Sequence, residues 1–379
     1  MAGNKPRSFF DYTLIFVVLV LCAFGMIMLY STTAYSNSIK FGDSFYNVKR
    51  MLFYLAVGLV VMLIVSKMDY HIFLKWSALI FLVALGMLVA VQIWGHESHG
   101  EKRWLYIGPI SIQPTELMKI ALVCCYPAMI NYFLPWMRRR ILEGGWKAWM
   151  VLFVFLGASV VPVLISNLSS AIIIAGMGVV ILFVATKRKW PLAVMIVAGV
   201  AALVVFYKSG LLAHVLKDYQ MDRINAWLDP TSDPEGNGYQ ILQSLYAIGS
   251  GGLFGKGLGQ SIQKLGYLPE AQNDMIFSII CEELGIFGGL LVLGLFAVLV
   301  SRMVMIANNA PDLPGMLMVT GVLAHVGIQV IFNLCVSMNL MPNTGVSLPF
   351  ISSGGSSLVC LMVEVGLVLS VSGRIRLEA

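Results

Sequence analysis

Residues 149–185 read WMVLFVFLGASVVPVLISNLSSAIIIAGMGVVILFVA, 37 residues without one charged side chain. Wound as a single helix, the run would be about 55 Å long, nearly two hydrocarbon cores of about 30 Å. The polar step Ser166-Asn167 near its middle divides it into two membrane spans, Trp149–Ile165 and Leu168–Ala185. A spanning helix needs about 20 mostly apolar residues. Applied outward from this run, that rule picks out Tyr12–Tyr30, Met51–Ser66, Phe73–Trp94, Pro114–Leu134, Pro191–Tyr207, Met275–Val300, Leu317–Met338 and Ser356–Val371. The expected fold is an all-α polytopic membrane protein of about ten transmembrane helices.

Composition agrees. Of the 379 residues, 59% are hydrophobic and 12% charged, against roughly 25% charged in an average soluble domain. This excludes a disordered chain, a collagen-like rod, a secreted disulfide scaffold and a soluble enzyme with one anchor. The net charge of +6 is small for such a chain and does not imply nucleic acid. All six cysteines (Cys22, Cys124, Cys125, Cys281, Cys335 and Cys360) lie in apolar runs without a C-x-x-C pair, and read as small buried hydrophobes. The apolar stretch after Lys5 and Arg7 is too long for a signal peptide and lacks a small-residue cleavage site, so it reads as the first span.

Positive charge orients the chain. With the N-terminus in the cytoplasm, the inner connections carry 14 cations: Lys5, Arg7, Lys67, Lys75, Arg138, Arg139, Arg140, Lys147, Lys187, Arg188, Lys189, Arg302, Arg374 and Arg376. The short outer connections carry five, Lys40, Lys49, Arg50, Lys102 and Arg103. Both termini are therefore expected in the cytoplasm of a multi-pass membrane protein. One connection is long: Lys208 to Asp274, between spans seven and eight, has near-globular composition and apolar stretches such as Ile241–Ile248. Long connections in compact proteins are usually functional or disordered. The expectation is one membrane domain over residues 1–379, with 208–274 as an ordered extracytoplasmic cap within it.

Ionisable side chains inside spans cost at least about 2.5–3.5 kcal/mol each, so each is a functional hypothesis. Glu116 and Lys119 are spaced i, i+3 after Gln113-Pro114, as an intrahelical pair that shapes the bundle or as ligands. Asp274 opens the eighth span, with Glu282 and Glu283 two turns on and broadly on its side. A carboxylate among carboxylates has a raised pKa and suits a general base. His325 reads as a satisfied buried histidine, and Glu364 as a cross-helix partner or a member of a polar cavity.

Gly249 to Gly257 imitates a phosphate loop, but Ser250 takes the place of the leading glycine and Gly257 that of Ser or Thr. Its glycines suit tight re-entrant turns or close backbone approach to a ligand, with Lys256 available to a phosphate. His96 to Glu101 matches no strong zinc spacing and reads as a solvated loop. Met341 to Ser357 is dense in Pro, Gly and hydroxyls, which break helices. Non-helical backbone at membrane depth must be buried in protein or line a cavity, so this segment is expected beside Asp274.

Five ordered blocks then become recognisable: Arg103-Trp104 with Gly108; Gln113-Pro114-Thr115-Glu116 with Lys119; Arg223, Trp227, Pro230 and Gly238-Tyr239-Gln240-x-x-Gln243-Ser244; Leu268-Pro269-Glu270, Asp274 and Glu282-Glu283-Leu284-Gly285; and Pro342 through Ser357. Together they resemble the SEDS (shape, elongation, division and sporulation) family, the group of RodA, FtsW and SpoVE, over essentially the whole length. The resemblance implies a ten-span fold with cytoplasmic termini and a peptidoglycan glycosyltransferase that polymerises lipid II. It also implies a class B penicillin-binding protein as crosslinking partner, within an elongation or division complex. It places the catalytic aspartate at Asp274. Substrate-binding positions implied on the same blocks are Arg103, Glu116, Lys119, Arg223, Gln243, Ser244, Glu283, Pro342, Gly345, Ser352, Gly354 and Gly355; Lys256 and Lys264, which lie between the blocks, join them as candidate cations for a phosphate. Three departures stand out: Ser166-Asn167-Leu168 replaces a Pro-Asp-Leu stretch, Asn273-Asp274-Met275 replaces Thr-Asp-Phe, and Ser353 stands where a Tyr is usual.

The implied reaction needs a base to take the proton of the acceptor's 4-hydroxyl, and cations for a departing pyrophosphate. Arg223, Lys256 and Lys264 are the candidate cations, together with a divalent ion, Mg²⁺ or Mn²⁺. Since pyrophosphate already leaves readily, one carboxylate suffices, unlike the pair used in glycoside hydrolysis. The rival reading is a transporter of lipid-linked sugar, with Glu116, Lys119 and Glu364 as its polar path. That reading predicts an inverted repeat, and the sequence shows none.

Overall fold

The computed structural model describes residues 8–98, 101–107, 110–133, 146–186, 189–195, 197, 201, 218–236 and 238–376. The expected seventh span falls outside these residues except for helical backbone at 190–195, 197 and 201; so do Gly108, residues 208–217 of the cap and the basic positions 138–140 and 187–188. Among the described residues, seven helices are long and apolar enough to cross a membrane, and Trp149–Leu164 is a shorter apolar helix.

The long run divides where the sequence places the break. Helix α6 (Trp146–Ser166) ends and α7 (Leu168–Ala185) begins at Asn167, whose side-chain oxygen accepts from Ser170 N at 3.1 Å. Asn167 thus caps the free amides of the second helix, which explains the polar residue there. Helices α1 (Tyr12–Phe41) and α11 (Leu313–Ser337) start the same way, with Asp11 accepting from Leu14 N at 2.9 Å and Asp312 from Gly315 N at 2.8 Å.

The remaining helices are α2 (Tyr46–Lys67), α3 (Tyr70–Lys75), α4 (Ser77–Trp94), α5 (Pro114–Ala128), α8 (Asp218–Leu228), α9 (Tyr239–Gly251), α10 (Ile276–Asn308) and α12 (Gly355–Ser372). Strands β2 (His96–Ser98), β3 (Glu101–Ile107) and β4 (Ile110–Ile112) form an antiparallel sheet between α4 and α5. This replaces the solvated loop expected at His96 to Glu101. At the opposite end of the bundle, β1 (Ser8–Phe9) pairs with β5 (Ile375–Arg376), and Arg302 bridges to Asp11 at 2.8 Å. The first and last spans therefore finish side by side, as an even number of crossings requires.

Helix α5 is central. It packs on α4 and α11 and is buried at every position but Leu117. α12 lies along α2, α11 against α7 and α10 against α1.

Two expected spans are broken. The third divides at Trp76 into α3 and α4. The eighth bends at Gly285, at φ 69°, and here the expected continuous helix gives way to a crossing of two backbones. Lys256 N and Gly257 N donate to the carbonyls of Glu282 and Glu283, both at 2.9 Å, while Ile286 N donates to Gly252 O at 3.0 Å. Helix hydrogen bonds lost at the bend are thus replaced by the neighbouring segment, as backbone at membrane depth requires. A Cβ on Gly285 would lie 2.3 Å from Leu253 O, so only glycine fits.

Candidate active site

The site lies at the end of the bundle away from the paired termini, where α7, α10 and α12 begin and α11 ends. The connection 338–354 between α11 and α12 keeps an irregular backbone because other elements hold it. Trp227 Nε1 and Arg223 Nη1 of α8 donate to the carbonyls of Asn339 and Asn343, each at 3.2 Å. Asn343 Nδ2 donates to Gln240 Oε1 of α9 at 2.7 Å, and Ser169 Oγ at the start of α7 donates to Thr344 O at 2.6 Å.

Asp274, two residues before α10, sits against this connection. Asn333 Nδ2 of α11 donates to the backbone carbonyls of both Asp274 (2.7 Å) and Val346 (2.8 Å), holding the two strands of chain together. Gly345, at φ 65°, takes the left-handed turn that brings the connection past Asp274, whose Oδ2 lies 3.9 Å from where a Cβ on the glycine would stand. Asp274 is only 7% exposed, and its Oδ1 has no hydrogen-bond partner. Burial, reinforced by the Glu270 carboxylate and opposed by Arg223, pushes its pKa up to about 7. An ionisable carboxyl poised near neutrality with an unengaged oxygen is equipped to take a proton.

Beside it is a cavity of about 650 Å³, with Leu168, Ile172 and Met341 on its apolar walls and Arg103, Arg223 and Pro342 also lining it. A second hollow of about 640 Å³ lies on the other side of Arg223 and Asn343, against Tyr239, Gln240 and Pro269. Two guanidiniums over an apolar trough match a ligand with a di-anionic head and a lipid tail.

A family model described as a cell cycle protein, that of FtsW, RodA and SpoVE, matches residues 12–376. The chain belongs to the FtsW/RodA/SpoVE family. It is 39% identical to stage V sporulation protein E of Bacillus subtilis over 365 residues, covering 96% of each chain. It is 36% identical to a probable peptidoglycan glycosyltransferase FtsW of Trichlorobacter lovleyi, covering 99% of this chain and 96% of the relative. Among solved structures, one described as structural coordination of polymerization and crosslinking by a peptidoglycan synthase complex superposes with a TM-score of 0.77 at 26% identity, covering 96% of this chain and 97% of that one. The rod-shape-determining protein RodA of Thermus thermophilus superposes at 0.70 and 24% identity, covering 97% of this chain and 98% of that one. The latter establishes the shared fold.

In this FtsW/RodA/SpoVE family member the other expected site residues occupy distinct places. Lys256 pairs with Glu282 Oε1 at 2.7 Å; Lys264 pairs with Glu283 Oε1 at 2.7 Å and donates to Ser31 Oγ of α1 at 2.9 Å. These lysines neutralise buried carboxylates, and the carboxylate acting on Asp274 is Glu270 instead of Glu282 or Glu283. Ser244 ties α9 to α10 and α11, bonding Ser278 Oγ at 2.6 Å and Ser337 O at 2.8 Å, while Gln243 is half-buried on α9. Ser352 Oγ accepts from Leu348 N at 2.8 Å, and Gly354 and Gly355 line a further cleft. Glu116 and Lys119 form a buried pair at 2.6 Å, extended to Gln329 at 3.4 Å and Ser357 at 3.4 Å. His325 Nδ1 meets Glu364 Oε2 at 2.7 Å, the cross-helix bond expected of Glu364.

Sequence reasoning passed over Asn333 and Gln329. Their signal is a polar residue every fourth position along α11, His325, Gln329, Asn333 and Ser337, all buried. That spacing puts them on one helix face.

Proposed function

We propose that this protein is a peptidoglycan glycosyltransferase that polymerises lipid II at the outer face of the plasma membrane. The observation that carries this reading is the buried Asp274, with its raised pKa and unpaired Oδ1, beside an apolar cavity lined by Arg103 and Arg223. The polyprenyl tail lies on the apolar wall and the arginines offset the diphosphate. Asp274 takes the proton of the acceptor's 4-hydroxyl as that oxygen attacks the anomeric carbon and the C–O bond to the diphosphate breaks. Among the described residues no three His, Cys, Asp or Glu side chains converge as a cation cage. The proposed Mg²⁺ or Mn²⁺ would therefore travel with the diphosphate, whose charge it offsets.

Orientation follows from the cation bias: the paired termini face the cytoplasm and Asp274 the outside. Residues 208–274 then form the extracytoplasmic cap of a single membrane domain, 1–379. A class B penicillin-binding protein is the partner that crosslinks the glycan, in keeping with the polymerising and crosslinking complex of the structural relative.

The test uses purified protein with that partner, labelled lipid II and Mg²⁺ or Mn²⁺, with glycan resolved on gels. Wild type is expected to make polymer and folded Asp274→Asn none, a drop of about 10²-fold or more. Transport of lipid II across liposome bilayers without polymer from either protein would establish the transporter instead.

A further inference from the structure

Strand β3 separates two cavities. Side chains alternate across a strand, and here Arg103 faces the arginine-lined trough while Trp104 and Tyr106 line a cleft of about 640 Å³ on the other side. Ser111, the cross-strand partner of Tyr106, lines the cleft too, as do Asn47 and Tyr54 of α2. The Tyr54 ring lies so close over Gly355 that a Cβ there would be 2.3 Å from it, so the floor of the cleft depends on that glycine. Tyr106 is 55% exposed, although Tyr70 and Tyr126 are fully buried in the bundle.

The cleft adjoins the segment that carries Asp274. Its wall residue Ser353 donates from its backbone amide to Gln272 O at 2.9 Å, two residues before Asp274. Ser353 thus ties the cleft wall to the stretch of chain that carries Asp274, while Arg223, which lines the trough, acts electrostatically on the same carboxylate.

The two hollows differ in chemistry. Among the described residues the cleft is lined by no carboxylate and by one cation, Arg50, which lies 6.0 Å from the Tyr54 ring centre. Aromatic faces with a few amide and hydroxyl groups suit an uncharged pyranose, whose apolar ring face stacks while its hydroxyl and acetamido groups hydrogen-bond. A diphosphate is better matched across the strand. We infer that this cleft, with Trp104 and Tyr106 as stacking platform, binds the acceptor aminosugar of the glycan and presents its hydroxyl to Asp274. The inference rests on the polymerase reading and adds a site for the second sugar.

The experiment uses the full-length protein in detergent and a lipid-free probe, the N-acetylglucosamine tetramer, with binding followed by saturation-transfer NMR. Wild type is expected to bind it. Trp104→Ala and Tyr106→Ala each weaken binding about tenfold or more, Trp104→Tyr keeps most of it, and Arg223→Ala leaves it in place. Melting curves verify that each variant is folded. The tetramer should also inhibit lipid II polymerisation by wild type. Absence of wild-type binding, binding indifferent to both ring truncations, or equal loss in Arg223→Ala overturns the cleft assignment, even where polymer is made and Asp274→Asn abolishes it. Ring-dependent binding by a protein that makes no polymer would instead sink the polymerase reading and leave a saccharide site.

Discussion

A carboxyl held up to about 7 by burial and a neighbouring carboxylate has two measurable consequences at Asp274. As a base it must be ionised, so kcat/KM should fall as pH drops through about 7, a limb that a pH–rate profile with lipid II resolves. For folding, the native state favours the protonated form relative to the unfolded chain. Stability is then fully present below an ordinary carboxylate pKa and is lost as pH rises through about 7. Asp274→Asn should raise the melting temperature at pH 8 and leave it unchanged near pH 4, with a gain of at most about 4 kcal/mol. Asn333 acts through Asp274. Asn333→Leu leaves two buried carbonyls unmatched, costing about 1–3 kcal/mol, and is expected to lower kcat more than it changes KM, because the carboxylate loses its seat.

The segment 252–266 after α9 is held to α10 and α1 through its lysines. Lys264 is 7% exposed and Glu283 fully buried, so removing one partner strands a charge. Lys264→Met is expected to destabilise the protein by about 3–5 kcal/mol, and the double variant Lys264→Met/Glu283→Gln to recover most of that, as thermal melts would show. Gly285→Ala should be worse tolerated than either, since it forces a left-handed φ on alanine and drives its Cβ into Leu253 O. These contacts explain the family block Glu282-Glu283-Leu284-Gly285 as a crossing of two backbones.

For the whole molecule, the paired termini and the Asp274 end must face opposite sides of the membrane. A cysteine introduced at exposed Lys40 should react with a membrane-impermeant maleimide in intact cells, and one at exposed Arg376 only after lysis. The native cysteines are buried or half-buried and provide a low background. Labelling of position 376 from outside would reverse the orientation. Between the two ends run the Glu116–Lys119 pair and the His325–Glu364 pair, about one helical turn apart along α11. Their bonds join α5, α11 and α12, which favours a structural role over a polar transport path.

Much was legible in the sequence because a bilayer imposes one coarse rule on every span. Apolar length placed most of the spans, the polar step at Ser166-Asn167 fixed the division of the longest run, and costly carboxylates in apolar surroundings marked Asp274, Glu116 and Glu364; the breaks at Trp76 and Gly285 lay beyond that rule. Motif order determined the family. Which charges meet was decided only by the tertiary structure. Lys256 and Lys264 read as free cations until the segment after α9 brought them to Glu282 and Glu283; Glu270 became the neighbour of Asp274 through a turn that helical spacing does not encode. Asn333, Trp104 and Tyr106 took their places by the packing of α11 and the pleat of β3. The physical reason is range: hydrophobic burial sums over a window of neighbouring residues, whereas a hydrogen bond or ion pair depends on partners brought within about 3 Å from distant parts of the chain.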